Sequence, residues 1–164
     1  VIAPGPATYP YGAVQDIEYA AEPGAPWRPV RLLLDPELPL KEGAAALLAR
    51  FAANDSPRIR RRAAAALRTS IEGSSPGGRA AAARALSRTP IHAEECGEAL
   101  AALRRQWRAE SIEDVRIAIA YAFAALGEPA DLSLLEEALA DRPPLATAAS
   151  AASEAILARG NGVR

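Results

Sequence analysis

The segment most suggestive of catalysis is rich in glycine and lies near the middle of the chain. Gly73-Ser74-Ser75-Pro76-Gly77-Gly78-Arg79-Ala80 has the spacing of a P-loop, in which backbone amides cradle the phosphates of a nucleotide. However, Arg79 stands where a P-loop has lysine, and Ala80 replaces the hydroxyl that binds Mg²⁺. A helical pattern, not a strand, precedes the segment. We interpret it as a turn between helices and predict no nucleotide hydrolysis.

A second chemical signal is a pair of metal-ligating side chains. His92 and Cys96 lie four residues apart, so a helix would place them on one face with Glu95 beside them. Zinc sites normally take four ligands, yet the chain has one histidine and one cysteine. A lone imidazole without an orienting carboxylate also argues against nucleophilic catalysis. We predict a non-enzymatic protein with no catalytic residue, metal, cofactor or small-molecule substrate. Adjacent carboxylates are interpreted as solvated: Glu94-Glu95 and Glu136-Glu137.

The third signal is a local concentration of arginine. The protein has 19 basic and 20 acidic residues, and its net charge of −1 excludes a globally basic nucleic-acid binder. Residues 50–88 nevertheless carry nine arginines against Asp55 and Glu72. Guanidinium groups bind carboxylates and phosphates, so this region is predicted to meet an anionic partner. The predicted partner-binding residues are Arg50, Arg58, Arg61, Arg62, Arg68 and Arg84.

Composition indicates the fold class and the compartment. A chain of 164 residues is long enough to form one domain without disulfides. Half of the residues are hydrophobic but only 5% are aromatic, and alanine, the best helix former, dominates. These features predict an all-α protein. No apolar run is long enough to cross a membrane, and the single Cys96 excludes an internal disulfide, so we predict a cytoplasmic protein that contacts no membrane.

The first 39 residues differ from the rest of the chain. They contain eight of the 14 prolines and four of the eight aromatic residues. Proline at this density prevents long helices, whereas the aromatic and aliphatic content argues against disorder. We predict an irregular N-terminal arm over residues 1–39 that lies on the first helices of an α-helical domain formed by residues 40–164.

Apolar spacing and helix-boundary residues predict seven helices beyond this arm. The fourth is either continuous or broken near Gly97, and a capping box of Ser111 and Asp114 opens the fifth. The fifth helix is apolar on every side, including Tyr121, which predicts a central position. Gly160 is predicted to close the last helix. The expected spans are 40–53, 57–73, 76–88, 90–109, 111–127, 130–141 with Leu132, Leu135 and Leu139 inside, and 144–159.

Two of these helices share one sequence pattern. An aliphatic residue and an arginine are followed by small residues and then a large apolar one, in Ile59-Arg60-x-x-Ala63-Ala64-x-Ala66-Leu67 and in Val115-Arg116-x-x-Ile119-Ala120-x-Ala122-Phe123. Such recurrence in an alanine-rich background is typical of helical repeat arrays. If Ile59, Val115 and Leu145 each mark the second helix of a pair, the period is near 29 residues. The chain then contains about four helix pairs, stacked into a curved α-α superhelix.

This pattern resembles HEAT repeats, a family of armadillo-type helical repeats. The residues that carry the resemblance are Asp55-Ser56-Pro57-Arg58-Ile59-Arg60, Glu113-Asp114-Val115-Arg116, and Leu134 to Asp141 leading into Arg142-Pro143-Pro144-Leu145. It covers about residues 40–159 and implies a HEAT-like solenoid. In that family, turn aspartates and the arginines after them tend to form ladders between repeats. The resemblance therefore implies structural roles for Asp55, Arg60, Asp114, Arg116 and Asp141.

The predicted function is that of a scaffold that binds a protein or peptide partner, with an acidic segment of that partner facing the basic helices. The alternative is binding of nucleic acid, as the duplex DNA bound by the remotely similar HEAT-like alkylpurine DNA glycosylases. Those enzymes use aromatic residues and a catalytic carboxylate in the groove. Here Trp107 aligns with Leu100 and Leu103, which favours the core, and no aspartate beside it suits catalysis. A chromophore-lyase or assembly subunit is a third hypothesis, based on fold analogy alone.

Overall fold

The computed structural model describes residues 41–53, 57–73, 75–88 and 93–161. The predicted N-terminal arm, Asp55 and His92 lie outside these ranges. The described part contains α-helices, 3₁₀-helices and the turns that join them, as the all-α prediction requires. Its α-helices are α1 (Lys41–Ala52), α2 (Pro57–Gly73), α3 (Pro76–Arg88), α4 (Ala93–Ala109), α5 (Glu113–Leu126), α6 (Leu132–Glu136) and α7 (Pro143–Asn161).

The helices alternate between two packed rows. In the first row, α1, α3, α5 and α7 lie side by side, and the contact between α3 and α5 is the most extensive in the described part of the chain. The second row consists of α2 and α4 with the short α6, and each of its helices packs against neighbours in the first row. An α-helical solenoid is therefore confirmed. None of the described helices is both long and apolar enough to traverse a lipid bilayer.

Alanine explains why the rows pack so closely. Four consecutive alanines, residues 80–83, are buried in α3, and further buried alanines face them from α1 and α5. A side chain that ends at Cβ lets helix axes approach and loses no rotamer entropy on burial. The larger apolar side chains fill the space between the rows. Those that are almost completely buried are Leu48, Leu67, Ile71, Leu86, Leu100, Leu103, Ile119, Phe123, Leu135 and Ile156.

The predicted phase of the repeat is right for Val115 and Leu145, which lie on helices of the same row, and wrong for Ile59. The two segments that share a pattern lie on α2 and α5, which belong to different rows. Contacts between successive helices pair α4 with α5 and α6 with α7, whereas α2 packs against both α1 and α3. The pattern misled because an arginine followed by small residues specifies a helix with one close-packed face. It does not specify the row in which that helix packs.

The segment 130–141 does not form the single α-helix that was predicted. It consists of a 3₁₀ turn (Pro129–Asp131), the five residues of α6, and a second 3₁₀ turn (Glu137–Ala140). A 3₁₀-helix advances about 120° per residue instead of about 100°, so side chains after α6 rotate away from the expected face. Leu135 is buried as predicted, Leu132 is half-buried, and Leu139 is 47% exposed.

The structure tests three predictions about where the helices begin, end or break. The fourth helix is continuous through Gly97. The capping box of Ser111 and Asp114 is wrong, because α5 starts at Glu113 with Ile112 as an N-cap that has no side-chain cap hydrogen bond. The last helix runs past Gly160 to Asn161.

The end of α5 is fastened to α7 by backbone carbonyls and by tight packing. The Arg159 guanidinium donates hydrogen bonds to the carbonyl oxygens of Ala124, Phe123 and Gly127, the last at 2.9 Å. Gly127 has an ordinary φ of −62°, so its role is to provide space. A Cβ there would lie 2.5 Å from the Phe123 oxygen and 2.8 Å from Cδ1 of Ile156.

We predict that Gly127→Ala destabilises the protein by about 1–3 kcal/mol, because a backbone oxygen cannot give way to the added methyl group. Gly97→Ala is the matched control, since a Cβ at this exposed position meets nothing within 4 Å. The control should stabilise α4 by about 0.5–1 kcal/mol through helix propensity. Urea unfolding followed by circular dichroism measures both. Equal effects of the two substitutions would contradict this account of Gly127.

Candidate binding surface

The six arginines predicted to bind a partner are divided between the two rows. Arg58, Arg61, Arg62 and Arg68 all belong to α2 in the second row. Arg50 lies on α1 and Arg84 on α3, both in the first row. The structure therefore does not gather the six on one row of helices. They form two separate candidate surfaces.

The second-row arginines differ in how far they are available to a partner. Arg58 and Arg61 are exposed, while Arg62 and Arg68 are half-buried. Arg68 of α2 forms an ion pair with Glu98 of α4. In a neighbouring ion pair the arginine lies on the other helix, since Arg105 of α4 pairs with Glu72 of α2 at 2.6 Å. Part of the positive charge of α2 is thus neutralised within the array.

A ladder of ion pairs links successive helices of the first row. Arg79, at the fourth position of α3, donates to the carboxylate of Glu110 just before α5, with an Nε to Oε2 distance of 2.7 Å. Arg116, at the fourth position of α5, donates to Oδ2 of Asp141 just before α7 at 3.1 Å. The P-loop-like spacing around Arg79 is therefore part of a structural contact. Alanine replaces arginine at the equivalent residue of α7, Ala146.

The second row has its own rungs. Arg60 of α2 is buried and its Nε lies 3.0 and 3.2 Å from the two carboxylate oxygens of Glu95 on α4. Glu95 was predicted to be solvated, but it is buried because this guanidinium compensates its charge. Arg104 of α4 bonds Asp131 and Glu128 at the start of the next pair. The structural role implied for Arg60 is seen, with a glutamate as its partner.

Trp107 belongs to the core, as its alignment predicted. Its side chain is almost completely buried, its Nε1 donates to the carbonyl oxygen of Leu134 at 3.1 Å, and its ring makes an edge contact with Phe123. The guanidinium of Arg116 lies over the ring, 4.7 Å from its centroid. The tryptophan therefore ties the two rows together and holds a ladder arginine in place.

The pKa values of two groups are shifted by these contacts. Burial alone would raise the pKa of Glu110, but hydrogen bonds from Arg79, the Ile112 backbone and Gln106 outweigh it and lower that pKa below its usual value. The bonds to Asp131 and then Glu128 raise the pKa of Arg104. These carboxylates hold guanidinium groups in their charged form, which is the state that a structural rung needs.

Cys96 is half-buried in α4, and charged groups nearby affect its thiol. Burial, followed by the charge of Glu128, raises the pKa of the Cys96 thiol against the opposing effect of Arg104. Glu95, its predicted companion, is engaged by Arg60. Within residues 41–53, 57–73, 75–88 and 93–161, no three histidine, cysteine or acidic side chains converge as metal ligands would.

A groove on the first row was not foreseen from the sequence. It has a volume of about 560 Å³, lies between α3 and α5, and is open to solvent. Tyr121, predicted to be covered, is 47% exposed and forms part of its wall. The described residues that line it are Arg84, Ser87, Arg88, Ile117, Tyr121, Ala124 and Ala125. One predicted residue, Arg84, thus belongs to a concave feature of the surface.

Two packed rows of helices, with repeated ion pairs along each row, define the described part of the chain as an α-helical solenoid. The family model for HEAT repeats matches residues 67–156, more than half of the sequence. The chain therefore belongs to the HEAT repeat family. No curated protein and no solved structure matches it.

We predict that Glu110→Gln destabilises the protein by about 1–3 kcal/mol at neutral pH, because the Glu110 side chain is 2% exposed and anchors Arg79. The folded-state pKa of Glu110 is lowered, so its contribution is complete above the ordinary value of 4.5 and is lost as pH falls through the lower value. The difference between wild type and variant should therefore shrink below about pH 4.5.

Chemical unfolding at pH 7 and at pH 3 measures this dependence. Glu98→Gln provides the control, since Glu98 pairs with an arginine of the outer surface and its side chain is 71% exposed. We expect less than about 1 kcal/mol from this change at either pH. A gap between wild type and Glu110→Gln that stays constant with pH would refute the assigned role.

Proposed function

We propose that this protein is a non-enzymatic scaffold that binds a protein or peptide partner on the outer faces of its two rows. Proteins of the HEAT repeat family commonly serve as interaction scaffolds. Stacked helix pairs present long, continuous surfaces, which suit extended partners better than compact ones. The finer proposal is that the partner offers acidic residues. It depends on the exposed arginines that do not join neighbouring repeats.

The observation that supports this proposal is that the arginines fall into two groups, those paired within the array and those exposed on its surface. Arg60, Arg79, Arg104 and Arg116 each meet a carboxylate from a neighbouring repeat and act inside the array. Arg58 and Arg61 are exposed on the second row, and Arg50 and Arg88 are exposed on the first. Exposed guanidinium groups on rigid helices are preorganised donors for carboxylates. An acidic protein segment complements them.

Binding of duplex DNA is the competing hypothesis, and two observations weigh against it. Two of the arginines that would contact phosphates, Arg68 and Arg79, face Glu98 and Glu110. Trp107 is buried and so cannot stack on a base. Phosphate contacts dominate the affinity of proteins for DNA, so the loss of these cations lowers the expected affinity.

The test is affinity capture from native lysate, treated with nuclease, by wild-type protein and two charge-reversed variants. One variant combines Arg58→Glu with Arg61→Glu in the second row, and the other combines Arg50→Glu with Arg88→Glu in the first. We expect wild type to retain a defined set of proteins, and at least one variant to lose members of that set by about tenfold or more, because several charge-assisted contacts are reversed. Quantitative mass spectrometry measures the retention.

Circular dichroism serves as the control for folding, since all four arginines are exposed and their replacement should leave the helices intact. Retention on immobilised duplex DNA at low salt is measured in parallel, and we expect none. The proposal fails if the captured proteins disappear after nuclease treatment, or if neither variant differs from wild type.

A further inference from the structure

We propose that an apolar segment of the chain itself, Val30-Arg31-Leu32-Leu33-Leu34, lies in the groove between α3 and α5 and covers the outer face of α3. The inference concerns a contact within the chain and so goes beyond the proposed scaffold function. The segment precedes the described ranges and belongs to the arm that the sequence analysis placed on the first helices. The burial of α3, the apolar wall of the groove and the length of the intervening chain support this occupant.

One outer position of the first-row helices is buried to very different degrees along the array. It is the residue directly after the ladder position, namely Ala80 of α3, Ile117 of α5 and Thr147 of α7. Thr147 is exposed, Ile117 is half-buried, and Ala80 is only 3% exposed. The burial of this position therefore increases toward the N-terminal end of the array.

Helix α3 is buried on its outer side as well as on the sides where described helices pack. Its extensive contacts within the described part of the chain are with α1 and α5, beside it in the first row, and with α2 of the second row. Consecutive helix residues point about 100° apart, yet residues 80–83 are all at most 3% exposed. Ala80 shares a stripe with Arg84 and Ser87 of the groove, so the burial extends to the outer side.

The groove offers a surface that suits an apolar segment. Ile117 and Tyr121 of α5 are one turn apart and form an apolar wall, which Ala124 and Ala125 continue. Tyr121 is one of four large hydrophobic side chains that are exposed among the described residues. Removal of apolar surface from water is the main favourable contribution to a contact of this kind. A segment of leucine and valine side chains is therefore a suitable occupant.

The proposed segment has one apolar face when it is extended. Alternate side chains of an extended chain lie on the same side, so Val30, Leu32 and Leu34 would share one face. Arg31 and Leu33 would share the other. If the first face lies on the apolar wall, the charge of Arg31 points to solvent. A proline on each side of the segment disfavours a helix and favours an extended backbone.

The chain between this segment and α1 is long enough to reach the groove. A helix of 13 residues, such as α3, is about 20 Å long, and packed helix axes are about 8–10 Å apart. The groove beyond α3 therefore lies within about 25 Å of Lys41, at the start of α1. Leu34 precedes Lys41 by seven residues and Leu32 by nine, which span about 23 Å and about 30 Å when extended. Leu38 and Leu40 are too close to α1 in sequence to reach it.

Limited trypsin digestion of the full chain tests whether the segment is held. Trypsin cleaves after Arg31 but not after Arg28, which precedes a proline. Because a protease requires a locally opened chain, a segment held in the groove is cleaved only when it detaches. We expect cleavage after Arg31 to be about tenfold or more slower in the protein than in a synthetic peptide of residues 24–40. Mass spectrometry of the product that begins at Leu32 measures the rate.

Two variants test whether the groove is what holds the segment. Tyr121→Ala removes part of the apolar wall, and Ala125→Trp fills the groove from an exposed position. Each should speed cleavage after Arg31 by about fivefold or more. Leu139→Ala is the matched control, because Leu139 has the same 47% exposure but does not line the groove, and it should leave the rate within about twofold. Circular dichroism shows whether the helices of each variant are intact.

Disulfide trapping locates the segment directly, on a Cys96→Ser background. Leu32→Cys or Leu34→Cys, combined with Tyr121→Cys, should form a disulfide within one chain under mild oxidation. A disulfide requires Cα atoms less than about 7 Å apart, so the bond reports the proposed contact. Leu33→Cys with Tyr121→Cys is the matched control, since the side chain of residue 33 lies on the opposite face, and it should form about a tenth as much or less. Peptide mass spectrometry identifies the bond.

Several results would overturn the inference. Cleavage after Arg31 at the same rate in the protein and in the peptide would show that the segment is not held. Slow cleavage that neither Tyr121→Ala nor Ala125→Trp changes would place the segment elsewhere on the molecule. Trapped disulfides that join two chains would assign the groove to a second copy. The scaffold function is tested separately, because capture of proteins from lysate through Arg58 and Arg61 does not depend on this groove.

Discussion

The pairing of an arginine in one repeat with a carboxylate of the next is the interaction on which this array depends. Its packed faces consist largely of alanine, and alanine surfaces are nearly interchangeable, so apolar burial alone does not fix how one helix pair sits on the next. The ion pairs of Arg79 with Glu110 and of Arg60 with Glu95 each join one defined position of a repeat to one defined position of the next. Removing one member would leave a buried charge uncompensated, which penalises any other register.

This constraint also divides the surface chemistry of the molecule. Arginines that pair with a carboxylate of a neighbouring repeat stabilise the array. Exposed arginines lie at the surface, where they are accessible to a partner. Helix α2 contains arginines of both kinds within a few residues. The groove follows from the same close packing. The alanines of α3 and α5 bring the two helices together along their inner faces, while Arg84, Arg88 and Tyr121 project on the outer side. Its two walls are thus consequences of one helix contact.

Helix positions could be read from the sequence where local signals dominate. Pro76 opens α3 and Pro57 opens α2 at the predicted residues, because proline is tolerated in the first turn and excluded from the interior. The repeat phase and the acidic rung partners depend on contacts between distant residues, which local patterns do not encode. The resemblance to HEAT repeats did imply structural roles for Arg116 and Asp141, which form one rung. Glu110 was missed, although it follows Arg79 by 31 residues, so a search for acids about one repeat after each arginine would have found it. The groove was missed because Tyr121 looked like a core residue.

The hydrogen bonds of Arg159 to α5 and the ion pair of Arg79 with Glu110 differ in their sensitivity to acid. Backbone carbonyls do not titrate and arginine carries its charge at any ordinary pH, so the hydrogen bonds that Arg159 makes to α5 persist where carboxylates become neutral. The rung of Arg79 with Glu110 instead depends on a carboxylate that loses its charge at low pH. Acid would therefore weaken the contact that Glu110 makes between α3 and α5, while the three hydrogen bonds from Arg159 would still join α7 to α5.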